Sequence, residues 1–250
     1  MKIAAHSIKT ILAVWFSIGF LCSFLILYPL FLLTLSHPSL YGTAHKLRRL
    51  WAWILFIWNG IRVKQIFEAP LSHKHAYVIT PNHTSQLDIV TLTGMLMLDF
   101  NFMAKDELAK IPLFGIFFRT IDIAVDRKNA RKAALAYQKA NNQLIKGKSI
   151  VIYPEGTISK VAPKLGNFKD GAFRLAIENQ VDVLPITIMG NWKRLPAKSK
   201  FYFTPGRVIH YIHKPISTKG MTVDQTSELS ATVKRKIEQT LDQYARGLLK

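Results

Sequence analysis

From Thr10 to Ser36 the chain carries no charged residue. Wound as a helix at about 1.5 Å per residue, such a run is longer than the roughly 30 Å hydrocarbon core of a bilayer. Lys2 and Lys9 precede it, as in a signal peptide, but it is longer than a usual signal core and lacks a small-x-small cleavage site. A retained membrane helix is therefore expected, which Pro29 can kink or end. A turn at His37-Pro38-Ser39 and Tyr41-Gly42-Thr43 follows, then Lys46, Arg48 and Arg49 open a second apolar segment at 50–61. That segment is short for a span. Its Trp51, Trp53 and Trp58 favour a membrane interface, with ordinary core packing as the simpler alternative. The pair reads as a helix-turn-helix that lies on or dips into one leaflet, or as one span followed by an interfacial helix.

The remaining length suits one α/β domain. Lysine and arginine number 34 against 15 acidic residues, giving a formal charge of +19. The partner implied is anionic: nucleic acid, lipid head groups or a phosphorylated substrate. Nucleic acid is disfavoured, since no zinc-finger or RNP-type pattern occurs and the tryptophans crowd into the apolar N-terminus. Cys22 is the only cysteine, which excludes an intramolecular disulfide and any multi-cysteine metal site. No cluster of His, Cys and carboxylates has ligand spacing, so no metal is expected; His73 and His75 read as surface residues.

After Lys64 short strands alternate with helices. Strands are expected at 76–80, 100–104, 121–125, 149–153, 183–189, 200–204 and 207–212. Helices are expected at 85–97, 106–111, 130–146, 171–178 and 226–248. The fold class is α/β, a mixed and largely parallel sheet flanked by helices, preceded by a two-helix membrane element. The division expected is 1–66 for the membrane-associating helices and 67–250 for the α/β domain, with a linker near Phe67–His75.

Pro81-Asn82-His83-Thr84-Ser85-Gln86-Leu87-Asp88 lies where a β-prone stretch meets a helical one, with Thr84 or Ser85 as a plausible N-cap. If the turn folds His83 back over the first helical turn, the Asp88 carboxylate reaches one ring nitrogen and leaves the other free to take a proton from a hydroxyl. A satisfied loop histidine beside a dipole-favoured aspartate is the plainer alternative. Three more clusters sit at strand ends: Lys105-Asp106-Glu107-Leu108, Ile121-Asp122-Ile123-Ala124-Val125-Asp126-Arg127, and Tyr153-Pro154-Glu155-Gly156-Thr157. Singly, each reads as solvated charge or a serviceable turn.

In this order, Asn-His-x4-Asp, Lys-x-Glu-Leu, Val-Asp-Arg and Pro-Glu-Gly-Thr resemble the glycerolipid acyltransferases, most nearly the bacterial 1-acyl-glycerol-3-phosphate acyltransferases. Val183-Leu184-Pro185-Ile186 looks like the family's last block, and Asn167-Phe168-Lys169-Asp170-Gly171-Ala172 like its linker. The resemblance implies transfer of a fatty acyl group from acyl-CoA or acyl carrier protein to a lysophospholipid hydroxyl, with no cofactor, at the cytoplasmic membrane and facing the cytoplasm. It makes His83 the general base and Asp88 its orienting carboxylate, with Lys105 and Arg127 on the acceptor's phosphate and Glu155, Gly156 and Thr157 shaping the acceptor site. Ser85 is then a cap or spacer rather than a nucleophile. Two departures stand out. Ile158 occupies the place of the family's arginine after Glu-Gly-Thr, and Ile121 the place of a glycine. An acyltransferase for an amino-acid-containing lysolipid, and a non-catalytic basic protein bound to anionic membrane lipid, are the alternatives.

Overall fold

Two apolar helices open the chain in the computed structural model, which describes residues 2–198 and 202–249. Helix α1 (Lys2–Thr34) is joined to α2 (Tyr41–Asn59) by a 3-10 turn at Pro38–Leu40, whose start is capped by the His37 ring. Helix α1 runs through Pro29 instead of ending there. Phe24, Leu27 and Phe31 flank the proline and share an apolar cluster with Leu47, Trp51 and Leu55 of α2. Packing on both sides offsets the backbone disruption, a cost of about 3 kcal/mol. The helices approach closely at Gly19, where a Cβ would fall 2.4 Å from the Trp58 indole.

The tryptophans divide between two environments. Trp51 is buried and donates to Ser23 Oγ at 2.9 Å. Trp58 stacks on Trp15 with ring centroids 4.5 Å apart, and each indole N–H donates to the other residue's carbonyl oxygen. Trp53 remains half-exposed. The face of the hairpin turned away from the domain is apolar and open, with Ile11, Ile18, Ile26 and Leu33 of α1 and Ile57 of α2 exposed. Among the described residues, only Ser7–Thr34 is helical, long and apolar enough to cross a membrane.

The chain continues as β1 (Ile61–Phe67), β2 (Val78–Pro81), α3 (Leu87–Met95), β3 (Phe100–Lys105), α4 (Ile116–Thr120), β4 (Ile123–Val125), α5 (Ala130–Ile145) and β5 (Ser149–Val151). It ends with α6 (Gly171–Glu178), β6 (Val183–Met189), α7 (Asn191–Arg194), β7 (Gly206–Ile212) and α8 (Thr226–Ala245). The sheet order is β1-β7-β6-β2-β5-β3-β4, parallel throughout except between β6 and β7. Strands β2 and β6 are buried along their whole length, as expected where helices cover both faces of a parallel sheet. Val78, Ile150 and Val183 point into a cluster with α5, α6 and α8. Their neighbours Ile79, Val151 and Leu184 point the other way, against α3.

Two sequence expectations need correction. Residues 61–67, assigned above mostly to the membrane-associating part, form an edge strand paired with β7 from Ile61–Gly206 to Phe67–Ile212. The helical hairpin thus ends at Asn59, and its tryptophan-rich tail hid the strand that follows. The strand expected at 200–204 falls partly outside the described residues, at Lys200 and Phe201. Residues 202–204 are irregular, and Phe203 is buried in the cluster that holds Ala13 and Phe56.

A buried ion pair fastens the hairpin to the sheet. Arg48 of α2 donates through Nη1 to both Asp122 oxygens at 3.0 Å, and through Nη2 to the Phe100 carbonyl at 2.9 Å. Asp122 Oδ1 also accepts from the Phe102 N–H at 2.8 Å. This inward turn of Asp122 delays β4 to Ile123, two residues later than the expected start. Removing one member strands the other as a buried charge. Asp122→Ala should therefore lower stability by about 3–5 kcal/mol in equilibrium denaturation, far more than loss of an exposed pair.

Strand β7 also turns His210 into the core, where burial holds its imidazole down at about 4. Folding keeps it neutral, whereas the unfolded chain protonates it near 6.5. Its stabilisation is present above about 6.5 and lost as pH falls towards 4. The loss of stability between pH 6.5 and 4 should be shallower in His210→Gln than in wild type, by about 1–3 kcal/mol across the window.

Candidate active site

The site lies at the C-terminal edge of the parallel strands, where open α/β sheets gather loops. Strand β2 ends at Pro81, and the side chain of Asn82 prolongs its pairing with β6. The amide donates to the Ile188 carbonyl at 3.1 Å and accepts from the Ile188 N–H at 2.6 Å. The chain then leaves the sheet as His83. Both backbone groups of His83 are held by the loop after β5: its N–H donates to Glu155 Oε1 at 2.8 Å, and its carbonyl accepts from the Ser159 N–H at 2.8 Å. One face of its ring lies on Tyr153, with centroids 3.9 Å apart.

Asp88 is the second residue of α3 and completely buried. Gln86, the residue just before the helix, makes no side-chain cap bond. Instead the Asp88 carboxylate folds back over the turn, and Oδ2 accepts from the Thr84 and Ser85 N–H groups at 2.6 and 2.9 Å. The same oxygen lies 3.0 Å from His83 Nδ1. An ionised carboxylate can only accept, so Nδ1 carries the hydrogen and Nε2 keeps its lone pair. Ser85 is a spacer with two bonds, donating to the Leu195 carbonyl and accepting from the Leu87 N–H.

Glu155 joins two loops, accepting from His83 on one oxygen and from the Gly166 N–H at 2.7 Å on the other. Burial pushes its carboxyl above the ordinary value, while these two bonds pull it back. Gly156 has φ 72°, a left-handed conformation that side chains rarely adopt. A Cβ there would lie 2.8 Å from Arg127 Nη1 and 3.3 Å from Lys169 Cε. Arg127 donates to the Gly156 carbonyl. The structure therefore brings His83, Asp88, Glu155, Gly156 and Arg127 into one connected group. Lys105 ends β3 on the same edge, but its ammonium is exposed and paired with Glu107, and Thr157 is exposed on the Glu155 loop.

Several residues of this group were not singled out from sequence. Asn191, the first residue of α7, donates to Asp88 Oδ1 at 2.8 Å and to Thr91 Oγ1 at 2.9 Å; Thr91 in turn lies 3.1 Å from His210 Nε2. These groups meet only through the pairing of β6 with β2 and β7. Tyr153 was noted only as the start of its turn. Its hydroxyl is buried without a partner among the described residues, and burial together with the Asp88 charge keeps it protonated.

With this geometry in place, comparison with known proteins gives a consistent result. A family model described as Acyltransferase matches residues 62–189. The chloroplastic 1-acyl-sn-glycerol-3-phosphate acyltransferase of Arabidopsis thaliana is 35% identical over 69% of this chain and 48% of its own length. A probable 1-acyl-sn-glycerol-3-phosphate acyltransferase of Mycoplasma pneumoniae is 28% identical over 80% of this chain and 79% of its own. The chain spans about half the length of the plant relatives it matches. The crystal structure of the Thermotoga maritima 1-acyl-sn-glycerophosphate acyltransferase superposes with a TM-score of 0.77 at 24% identity, covering 94% of this chain and 97% of that one. That likeness speaks to the fold, including the α/β sheet and its N-terminal helices. By its matched sequence, the chain belongs to the acyltransferase family.

Proposed function

We propose that this protein transfers a fatty acyl group from an acyl thioester, acyl-CoA or acyl carrier protein, to the free hydroxyl of 1-acyl-glycerol-3-phosphate, giving phosphatidic acid. The observation that carries the proposal is the His83–Asp88 pair, whose geometry leaves Nε2 as a free base at the sheet edge. The relatives' names support the substrate class.

A hydroxyl is a weak nucleophile at neutral pH, so its proton must leave as it attacks. In this reading the acceptor hydroxyl gives its proton to His83 Nε2 while its oxygen bonds to the thioester carbonyl carbon. The tetrahedral oxyanion collapses, the carbon–sulfur bond breaks, and the imidazolium returns the proton to the leaving thiolate. Asp88 stabilises the transient imidazolium. No acyl-enzyme is needed.

Arg127 and Lys105 receive the acceptor's phosphate, Arg127 through its guanidinium fork and Lys105 as a point charge released from Glu107. Glu155 and Gly156 hold the loop that borders this space, and Thr157 lies at its exposed rim. Lys169, whose stem passes beside Gly156, adds positive charge where Ile158 supplies none. The exposed apolar face of the hairpin rests in the membrane, with the sheet domain that begins at β1 forming the catalytic part on the cytoplasmic side, where the donors are made. Basic residues near the surface add about 1 kcal/mol each towards anionic lipid; nucleic acid has no role. Ile158 is the specific reason to keep a second acceptor in view, a phosphate-free lysolipid bearing an amino acid.

The test is acyl transfer by purified protein from a long-chain acyl thioester, with lysophosphatidic acid and a phosphate-free lysolipid offered in parallel. Product from lysophosphatidic acid alone is expected. His83→Ala should lower the rate by about 100- to 10,000-fold, and Asp88→Asn should also reduce it steeply, with both variants folded. Product only from the phosphate-free lipid would move the assignment to that acceptor, and wild-type rates in His83→Ala would end the mechanism.

A further inference from the structure

Both oxygens of the buried Asp88 carboxylate are occupied, and they are served by different parts of the chain. Oδ2 takes the local donors, His83 Nδ1 and the Thr84 and Ser85 N–H groups. Oδ1 takes Asn191 Nδ2, delivered from beyond β6. The second hydrogen of that amide goes to Thr91 Oγ1. Thr91 can direct its own hydrogen to the Asp88 carbonyl at 3.4 Å, leaving its lone pairs for Asn191 and His210. In that arrangement every donor in the network is aimed towards Asp88.

Asn191 bears a cost that a space-filler would not. It is wholly buried, and its Oδ1 has no hydrogen-bond partner among the described residues. An apolar side chain of similar size would avoid that unsatisfied acceptor. A carboxylate would meet Asp88 as a like charge at contact distance. The amide donates to Asp88 without adding charge.

We propose that Asn191 is a positioning residue, whose amide fixes the Asp88 carboxylate and through it the orientation and basicity of His83. The inference rests on the acyl-transfer reading for its effect on rate, but its electrostatic consequence for His83 does not. Asn191 touches Asp88 on α3, and the ionisable groups around that carboxylate are His83 after β2, Tyr153 and Glu155 after β5, and His210 on β7. On α7 itself, Arg194 donates to the Pro205 carbonyl and Lys193 lies over the Tyr244 ring.

Two substitutions in the full-length protein test the proposal, with wild type and His83→Ala as references. Asn191→Leu keeps the bulk and removes the donors; kcat for acyl transfer should fall about 10-fold or more with KM changed less than about 2-fold. Asn191→Asp is isosteric and donates only while it holds a proton. Its kcat relative to wild type should decline as pH rises, because two touching carboxylates cannot both ionise cheaply. NMR titration of the His83 ring supplies a readout independent of turnover: once the carboxylate pair of Asn191→Asp gives up its shared proton, the added negative charge should raise the ring's pKa. If Asn191→Leu does not fold, Asn191→Asp decides the matter alone. Wild-type kcat across pH together with an unmoved His83 titration in a folded Asn191→Asp would overturn the proposal. A wild type without transfer activity would instead defeat the acyl-transfer reading, with the His83 titration still deciding for or against Asn191.

Discussion

The Asp88 carboxylate is a charge placed where water does not reach, and much of the molecule is arranged to make that tolerable. Burying an ion without donors costs several kcal/mol even after relaxation. Here the first turn of α3 contributes two backbone N–H groups, the loop histidine contributes a ring N–H, and α7 contributes a side-chain amide. Each donor is available only because a strand ends in the right place. β2 delivers His83, and β6 delivers Asn191 at its far end. The order of the central strands, with β6 beside β2, is what brings these two ends together.

The loop after β5 completes the same arrangement from the other neighbour of β2. Glu155 and Ser159 hold the backbone of His83 from both sides, so the histidine is fixed through its main chain as well as through its ring. The N-terminal hairpin serves two ends in turn. One face of α2 packs on α3 and is pinned by Arg48 to Asp122, while the outer face of α1 is left apolar. A helix pair built this way carries the sheet-edge site at a set distance from whatever surface covers that outer face.

The sequence revealed the fold where its signals were local. The apolar run at 183–189 and the helical pattern at 171–178 became β6 and α6 with unchanged bounds, and most of the charge-free run from Thr10 lies in α1. Strand β1 was missed because Ile61–Phe67 mixes apolar, basic and polar residues directly after an aromatic helix, and an edge strand needs no stronger pattern. The pairing of His83 with Asp88 was readable from a spacing of five at a strand–helix junction. The contributions of Asn191, Thr91 and His210 were not, since they depend on strand order and no local motif marks them. Ser85 stands one residue further from the helix than its cap position, yet its hydroxyl accepts from the Leu87 N–H, while the Asp88 carboxylate takes the N–H groups of Thr84 and Ser85.

The central claim is that Asp88 holds the hydrogen of His83 on Nδ1 and leaves Nε2 bare. The most direct measurement is nitrogen NMR of the neutral ring in protein labelled at histidine. The account predicts that the neutral ring is the Nδ1–H tautomer in wild type and becomes a tautomer mixture in Asp88→Asn. A neutral ring with its hydrogen on Nε2 in wild type would contradict it, because that nitrogen would then have no lone pair with which to take a proton from a hydroxyl.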